Sequence, residues 1–146
     1  MNELRELYQE LILEHSKQPR NYREIPDASR KVEGFNPLCG DNLRLYLKLE
    51  NGIVKDASFE GSGCAISKAS ASLMTESVKG KTREEAMELL ERFRDLITKD
   101  GPTSAELGKL AVFCGVRDYP ARVKCATLCW HTLKSALEGG EKASTE

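Results

Sequence analysis

The chain has 146 residues and a formal net charge of −1, with 40% hydrophobic and 31% charged residues. This length suits one domain with its own core, and the balanced charges give no electrostatic reason to expect nucleic acid or a membrane surface as a partner. The first residues lack the pattern of a secretory signal, and no apolar run is long enough to cross a membrane. We therefore expect a cytoplasmic protein. Its odd number of five cysteines argues for metal or thiol chemistry and against a disulfide framework, although at least one of them is expected to be a small buried residue.

The first half of the chain predicts one helix and a β-hairpin. Apolar residues at helical spacing indicate an amphipathic helix that ends before Pro19. The segment 21–36 is expected to be an irregular connection. Leucines alternate with polar residues from Leu43 to Leu49, which indicates a half-buried strand, and Asn51-Gly52 predicts a type I′ turn into a return strand over 53–59.

The second half predicts helices. An Ala/Ser-rich helix is expected from Ala65 to Lys79 with Gly80 as its cap, and a capping box from Thr82 to Glu85 opens the next helix. A loop over 99–103 and a short helix over 104–111 follow. Pro120 suits the first turn of a last helix, which Gly139 and Gly140 stop.

This order of elements predicts an α+β fold, a small antiparallel three-stranded sheet with helices packed on one face. The sequence contains no repeats and no sign of a second domain. We expect one domain over residues 1–140, followed by a disordered tail over 141–146.

Cys39 and Cys64 lie where backbone geometry and not core packing places them. Cys39 is in a turn two residues before Asp41, so the two side chains can point to the same side. Cys64 follows Gly61-Ser62-Gly63 and precedes a helix, whose dipole favours a thiolate there. The same glycines could also cradle a phosphate, but the spacing of a P-loop is missing.

Cys125 completes a set of candidate ligands. It lies near the start of the last helix, after Arg122 and Lys124, and these cations also favour a thiolate. Three thiolates and one carboxylate would make a four-coordinate zinc site, or an incomplete ligand set for iron. Without a C-x-x-C pair, spacing alone leaves open that these cysteines are turn or core residues.

Three segments together resemble the IscU/SufU/NifU N-terminal family of iron–sulfur cluster assembly proteins. They are Asn36-Pro37-Leu38-Cys39-Gly40-Asp41, the stretch from Phe59 to Ser72 around Gly-Ser-Gly-Cys-Ala-Ile-Ser, and Pro120-Ala121-Arg122-Val123-Lys124-Cys125. The opening helix with His15, Pro19, Arg20 and Asn21 also fits, so the likeness covers nearly the whole chain.

The resemblance implies a site and a partner. Cys39, Asp41, Cys64 and Cys125 match the ligand positions of the family, which would meet at one exposed end of the domain and hold Zn²⁺, or iron as a 2Fe–2S cluster. The implied partner is a pyridoxal-phosphate cysteine desulfurase that delivers sulfur as a persulfide. A downstream iron–sulfur carrier or an apo-protein would then receive the product.

Lys124 departs from the IscU branch, in which a histidine precedes the last ligand cysteine. This lysine and the long stretch between Cys64 and Cys125 resemble the SufU branch, whose members bind zinc and accept sulfur. The expected function is therefore to accept persulfide sulfur, to serve as a cluster scaffold, or both; the alternative is a zinc-dependent sulfurtransferase without a scaffold role, the one version that is an enzyme. Resemblance to SufU suggests Cys39 as the acceptor, and resemblance to IscU suggests Cys125.

The remaining candidates have structural interpretations. Cys129 is expected in the core although it could face the site, and Cys114 is expected to be buried and inert. His131 suits a surface or capping position, and His15 suits the end of the first helix, where a cation complements the dipole. Arg122 could either face the site or lie on the surface.

Two other functions compete with this one. A metal could merely staple the fold, in which case removing it would unfold the chain. The chain could also be a thiol oxidoreductase, against which the missing C-x-x-C pair counts.

Overall fold

In the part of the chain that the structure describes, one helix is followed by three strands, three helices and a short last strand. The structure, a computed structural model, describes residues 2–37, 40–98, 110, 112–113, 116, 119–140 and 142–144. The elements in chain order are α1 (Asn2–Lys17), β1 (Arg30–Asn36), β2 (Asp41–Glu50), β3 (Ile53–Ser62), α2 (Ala65–Val78), α3 (Arg83–Thr98), α4 (Pro120–Leu137) and β4 (Lys142–Ser144).

The sheet has the strand order β3-β2-β1-β4. The strands β1, β2 and β3 are antiparallel, which confirms the predicted α+β fold with a three-stranded antiparallel sheet. Asn51 and Gly52 join β2 to β3 with φ values of 53° and 75°, as the predicted type I′ turn requires. The register places Asn36 opposite Asp41 at the other end of β2.

Two sequence predictions about the sheet were wrong. The segment 21–36 is not irregular throughout, because Arg30–Asn36 forms β1. The segment 141–146 is not disordered throughout, because Lys142–Ser144 pairs in parallel with β1 as β4. The pattern of β1 is weak because its inward positions include Gly34, where a Cβ atom would lie 2.1 Å from the Thr132 Oγ1 atom of α4.

The helices cover one face of the sheet, as predicted. In β1 the inward residues Val32, Gly34 and Asn36 are buried, and the residues between them are exposed. α4 packs on β1 and β2, and α2 packs on β3 and also contacts α1 and α4. The small Ala and Ser side chains of α2 allow this close packing on several sides.

The helix ends follow local rules. α2 ends at Val78, and Gly80 follows with φ 83°, as expected of a C-terminal glycine. At the start of α3, Glu85 N donates to Thr82 Oγ1 at 3.1 Å and Thr82 N donates to Glu85 Oε1 at 2.9 Å, so the predicted capping box is confirmed. Pro120 opens α4, as predicted.

Some predictions cannot be compared with the structure. The loop over 99–103 and the short helix over 104–111 lie outside the described residues, apart from Leu110. No helix in the described part of the chain has both the length and the apolar character that a membrane span requires. The limits of the domain stay a prediction.

Candidate metal centre

Asp41 is held at the end of the sheet where β1 turns into β2. It is the first residue of β2 and only 1% exposed. The turn before it is closed by Gly40 N, which donates to Asn36 O at 2.8 Å, and Gly40 has the positive φ of 75° that glycine adopts without strain. The Cys64 N–H donates to Asp41 Oδ1 at 2.9 Å, so this carboxylate is tied to the start of α2.

Cys64 is the N-cap residue of α2, as the glycines before it predicted. Its Sγ atom accepts a hydrogen bond from Ser67 N at 3.4 Å, and the side chain is half-buried. A sulfur at this position accepts a hydrogen bond from an N–H of the first turn that has no partner within the helix, and it lies at the positive end of the helix dipole. The backbone of the first turn of α2 therefore fixes the position of the Cys64 sulfur.

Gly63 allows Asp41 and α2 to approach each other. A Cβ atom at this residue would lie 2.6 Å from Asp41 Oδ1 and 3.1 Å from Asp41 Cγ. These distances are too short for a real side chain, so the position needs glycine for space. The group that approaches Gly63 is the Asp41 carboxylate.

Cys125 joins this pair from the second turn of α4. Its side chain is fully buried. One ligand atom each from Asp41, Cys64 and Cys125 lies within 4.8 Å of the others, and Cys64 Sγ is 4.0 Å from Asp41 Oδ2. Two sulfurs and a carboxylate oxygen at such distances fit the donor set of a zinc ion. Three residues that are far apart in the sequence therefore meet, and metal ligation by them stays a prediction.

Cys39 lies outside the described residues. The predictions that it is a metal ligand and the sulfur acceptor therefore remain predictions. The described residues on either side of it are Pro37 and Gly40.

Asn36 is a site residue that the sequence analysis missed. It is fully buried at the end of β1, and its Nδ2 atom lies 3.2 Å from Asp41 Oδ2 and 3.7 Å from Cys125 Sγ. In the sequence it stands out only as part of the segment that carries the family resemblance. An asparagine at the inward-facing end of a strand, immediately before a ligand turn, is the signal that could have identified it.

Among the other α4 candidates, Cys129 does not belong to this group of described residues. Cys129 is buried, as expected, and its Sγ atom is 3.3 Å from Ser70 Oγ. Burial raises the pKa of the Cys129 thiol to about 12, which keeps it protonated. Arg122, Lys124 and His131 are exposed.

His15 has a structural role, as expected, and this role includes a contact with α2 in addition to its place at the end of α1. It is 1% exposed, and its Nδ1 atom is 2.6 Å from Ser72 Oγ. The residue therefore joins α1 to α2 through a buried hydrogen bond, in addition to lying in the last turn of α1. Cys114 lies outside the described residues.

Comparison with known proteins identifies the family. The chain matches the NifU-like N terminal domain over residues 7–126. It is 46% identical over 138 residues to the zinc-dependent sulfurtransferase SufU of Bacillus subtilis, covering 92% of this chain and 93% of that protein. It is 37% identical over 144 residues to the iron–sulfur cluster assembly scaffold protein IscU of Streptococcus pyogenes, covering 98% of this chain and 90% of that protein.

Solved structures give the same result. A crystal structure from Fervidobacterium islandicum, described as a candidate iron–sulfur cluster assembly scaffold protein for the SUF system, superposes with a TM-score of 0.84. It is 38% identical, and the match covers 88% of this chain and 94% of that one. A NifU-like protein from Brucella abortus, 26% identical, has a TM-score of 0.82 with 90% and 92% coverage. The chain therefore belongs to the NifU-like N-terminal domain family, which includes SufU and IscU relatives.

Proposed function

We propose that this protein is an iron–sulfur cluster assembly protein that accepts sulfur from the persulfide of a cysteine desulfurase. The observation that carries the proposal is the meeting of Asp41, Cys64 and Cys125, whose ligand atoms lie within 4.8 Å of one another. Membership of the NifU-like N-terminal family and the names of the SufU and IscU relatives support this chemistry. Iron and sulfur for a nascent 2Fe–2S cluster would be cargo of the same site.

The ligands that we propose for a resident zinc ion are Cys39, Asp41, Cys64 and Cys125. Zinc bound there would keep the cysteines as thiolates and shield them from oxidation until a partner docks. The carboxylate of Asp41 is a harder ligand than the thiolates and exchanges more readily. Asp41 would therefore be the ligand that yields first.

The proposed sulfur transfer is a thiol–disulfide type of exchange. A thiolate of this protein attacks the outer sulfur of the desulfurase persulfide; a new S–S bond forms on this protein, the old S–S bond breaks, and the desulfurase cysteine leaves as a thiolate. The electrons balance without an external oxidant. Cys125 is fully buried, which disfavours it as the first acceptor and supports Cys39. Arg122, exposed three residues before Cys125, would attract an anionic persulfide.

Lys124 favours the sulfur acceptor over a pure scaffold. Its side chain is exposed, and a protonated amine cannot bind a metal. The site therefore offers one candidate ligand fewer for a stable cluster. A zinc-dependent sulfurtransferase without a scaffold role is the second candidate, and the 46% identity to SufU favours it.

The proposed partners follow from this chemistry. They are a cysteine desulfurase before the transfer and an iron–sulfur carrier or apo-protein after it. Free thiols persist in a reducing compartment, so we place the reaction in the cytoplasm.

The first test is the metal content of protein purified without added iron, compared with Asp41→Ala. About one zinc per chain, reduced in the variant, is expected for a site with a carboxylate ligand. Asp27→Ala is the matched control, because Asp27 is an acid that pairs with Lys48 on the surface. A brown protein with iron and acid-labile sulfide would favour the scaffold, and metal-free wild-type protein would contradict the metal site.

The second test is persulfide formation. Incubation with a cysteine desulfurase and cysteine should place one extra sulfur on this chain, which peptide mass spectrometry assigns to a cysteine. Unchanged desulfurase turnover together with no persulfide on the chain would exclude sulfur transfer. Unfolding of the protein on chelation would indicate that zinc only stabilises the fold. Reduction of insulin disulfides by the protein would instead indicate a thiol oxidoreductase.

A further inference from the structure

Asn36 contacts two of the three residues that form the candidate metal centre. Its position is set by the sheet, because the antiparallel register puts it directly opposite Asp41. Its Nδ2 atom is 3.2 Å from Asp41 Oδ2 and 3.7 Å from Cys125 Sγ. Cys125 lies 89 residues away in the sequence, so one side chain connects the sheet edge to α4.

The chemistry of the amide determines which way it faces. Asp41 Oδ2 and Cys125 Sγ both carry lone pairs, and an amide oxygen facing them would repel the carboxylate. With the nitrogen toward them, its two hydrogens can serve the two acceptors. The other Asp41 oxygen, Oδ1, is already fixed by the Cys64 N–H at 2.9 Å. The carboxylate is thus held from β1 through Oδ2 and from the start of α2 through Oδ1.

Burial makes an asparagine at this position costly unless it has such a role. Asn36 is fully buried, and the two earlier inward positions of β1 are Val32 and Gly34. A buried amide destabilises the fold unless it is hydrogen-bonded. Here its partners are groups that a metal ion would also bind, which is the relation found in outer-shell residues of metal sites.

We infer that Asn36 is a positioning residue of this centre, whose amide holds Asp41 and Cys125 in the arrangement that a metal ion needs. The inference rests on the proposed function, since it assumes that the centre binds metal. Asn36 does not itself bind the ion: its nitrogen donates to the ligands and fixes their directions. Loss of the amide should therefore weaken metal binding and change the ligand field while leaving the ligand residues in place.

The test compares wild-type protein with Asn36→Ala. Zinc affinity is measured by competition with a chelator of known affinity, and the cobalt(II)-loaded proteins are compared by their d–d absorption at saturation. The apparent dissociation constant for zinc should rise by about 10- to 100-fold in the variant, the usual effect of losing an outer-shell partner. The cobalt bands should shift, a change that a residue needed only for folding would not cause.

Asn42→Ala is the matched control. Asn42 is the asparagine next to Asp41, but its amide donates to Ser62 Oγ at 3.0 Å. Its zinc affinity and cobalt spectrum should equal those of the wild type. If Asn36→Ala does not fold by circular dichroism, Asn36→Leu replaces it, because leucine is close to asparagine in shape and has neither a donor nor a metal-binding atom.

The outcomes separate the inference from the proposed function. Wild-type protein that takes up neither zinc nor cobalt overturns the proposed function. Wild-type protein that binds both, with an Asn36 variant of equal affinity and superimposable cobalt spectrum, overturns only the role of Asn36.

Discussion

Two polar clusters include residues of α4, and each contains a buried cysteine in a different chemical environment. The site cluster joins two strands and two helices and consists of Asn36, Asp41, Cys64 and Cys125. The core cluster joins only α2 and α4 and consists of Ser70, Ala126, Cys129 and Trp130. Each contains a buried α4 cysteine, and these two cysteines are one helical turn apart.

The clusters differ in whether their hydrogen-bond acceptors are atoms that can bind a metal. In the core cluster Ser70 Oγ donates to Ala126 O at 2.6 Å and accepts from Trp130 Nε1 at 3.3 Å. Polar atoms of α2 and α4 thus satisfy one another. In the site cluster the Asn36 amide and the Cys64 N–H point at carboxylate oxygens and sulfur, all of which are metal-binding atoms. Donors gathered around several Lewis bases, and not a cysteine alone, therefore mark the candidate metal centre.

The largest expected effect is on the reactivity of the core thiol. Burial raises the pKa of Cys129 to about 12, so its thiolate forms only near and above that pH. At pH 8 about one Cys129 in ten thousand is ionised, against about a quarter of free cysteines, so alkylation should be slower by more than about 1,000-fold. Iodoacetamide labelling of the folded protein followed by peptide mass spectrometry measures the rate.

The same labelling in urea is the control for Cys129. In the unfolded chain its rate should match that of the other cysteines, because the burial is lost. Fast labelling of Cys129 in the folded protein would mean that the core cluster is open to solvent.

The second expected effect separates the two cysteines by metal binding. Cys125→Ser replaces a soft sulfur by a hydroxyl and should weaken zinc binding by more than about 100-fold, above the usual effect of outer-shell changes. Cys129→Ser should leave zinc affinity unchanged and lower the free energy of unfolding by about 1–2 kcal/mol, as expected for a buried substitution. Chelator competition and urea unfolding measure the two quantities. Equal zinc affinities of the two variants would remove the distinction between the clusters.

The third effect tests the space around Asp41 with two glycines. In Gly63→Ala the new Cβ atom would lie 2.6 Å from Asp41 Oδ1, so the carboxylate must move, and zinc affinity should fall by about 10-fold. In Gly34→Ala the Cβ atom would lie 2.1 Å from Thr132 Oγ1, and Thr132 is not a member of the site cluster. This control should lose about 1–3 kcal/mol of stability through overpacking while keeping its zinc affinity.

A reversed result would change the interpretation of Gly63. If Gly63→Ala lost only stability and kept the zinc affinity of the wild type, Asp41 would not need its observed position to bind metal. Zinc affinity is compared only between variants that remain folded by circular dichroism.

Local signals in the sequence predicted the part of the fold that is far from the site. The Asn51-Gly52 turn and the Thr82–Glu85 capping box each depend on residues within a few positions of one another, so their pattern is visible in the sequence. The strand β1 has no clear sequence pattern because Gly34 interrupts the apolar alternation. Glycine is needed there because α4 leaves no space for a side chain. The strand β4 was missed because its three residues are ordered by pairing with β1 and not by their own pattern.

Spacing alone predicts the candidate site only as a set of residue types, and the family resemblance supplies the individual residues Cys39, Asp41, Cys64 and Cys125. The backbone positions of Asp41 and Cys64 follow from a turn and a helix start, which are local features. That Cys125 and not Cys129 faces them depends on how α4 packs on the sheet, which one helix sequence does not determine. The place of Asn36 before the ligand turn is a local signal, but its contact with Cys125 spans 89 residues and follows only from the packing of α4 on the sheet.

The smallest expected effect is at the capping box of Thr82 and Glu85, whose residues belong to neither cluster. Thr82→Ala removes an N-cap hydroxyl and should lower the free energy of unfolding by about 1 kcal/mol, with zinc affinity unchanged. Hydrogen bonds from the backbone and side chain of Thr82 hold the pKa of Glu85 below its ordinary value of 4.5. The stability linked to this carboxylate is present above pH 4.5 and lost as the pH falls through the lowered value, so variant and wild type should converge partly in acid. Urea unfolding between pH 3 and 7 measures this, and a gap that widens in acid would contradict the role of Glu85.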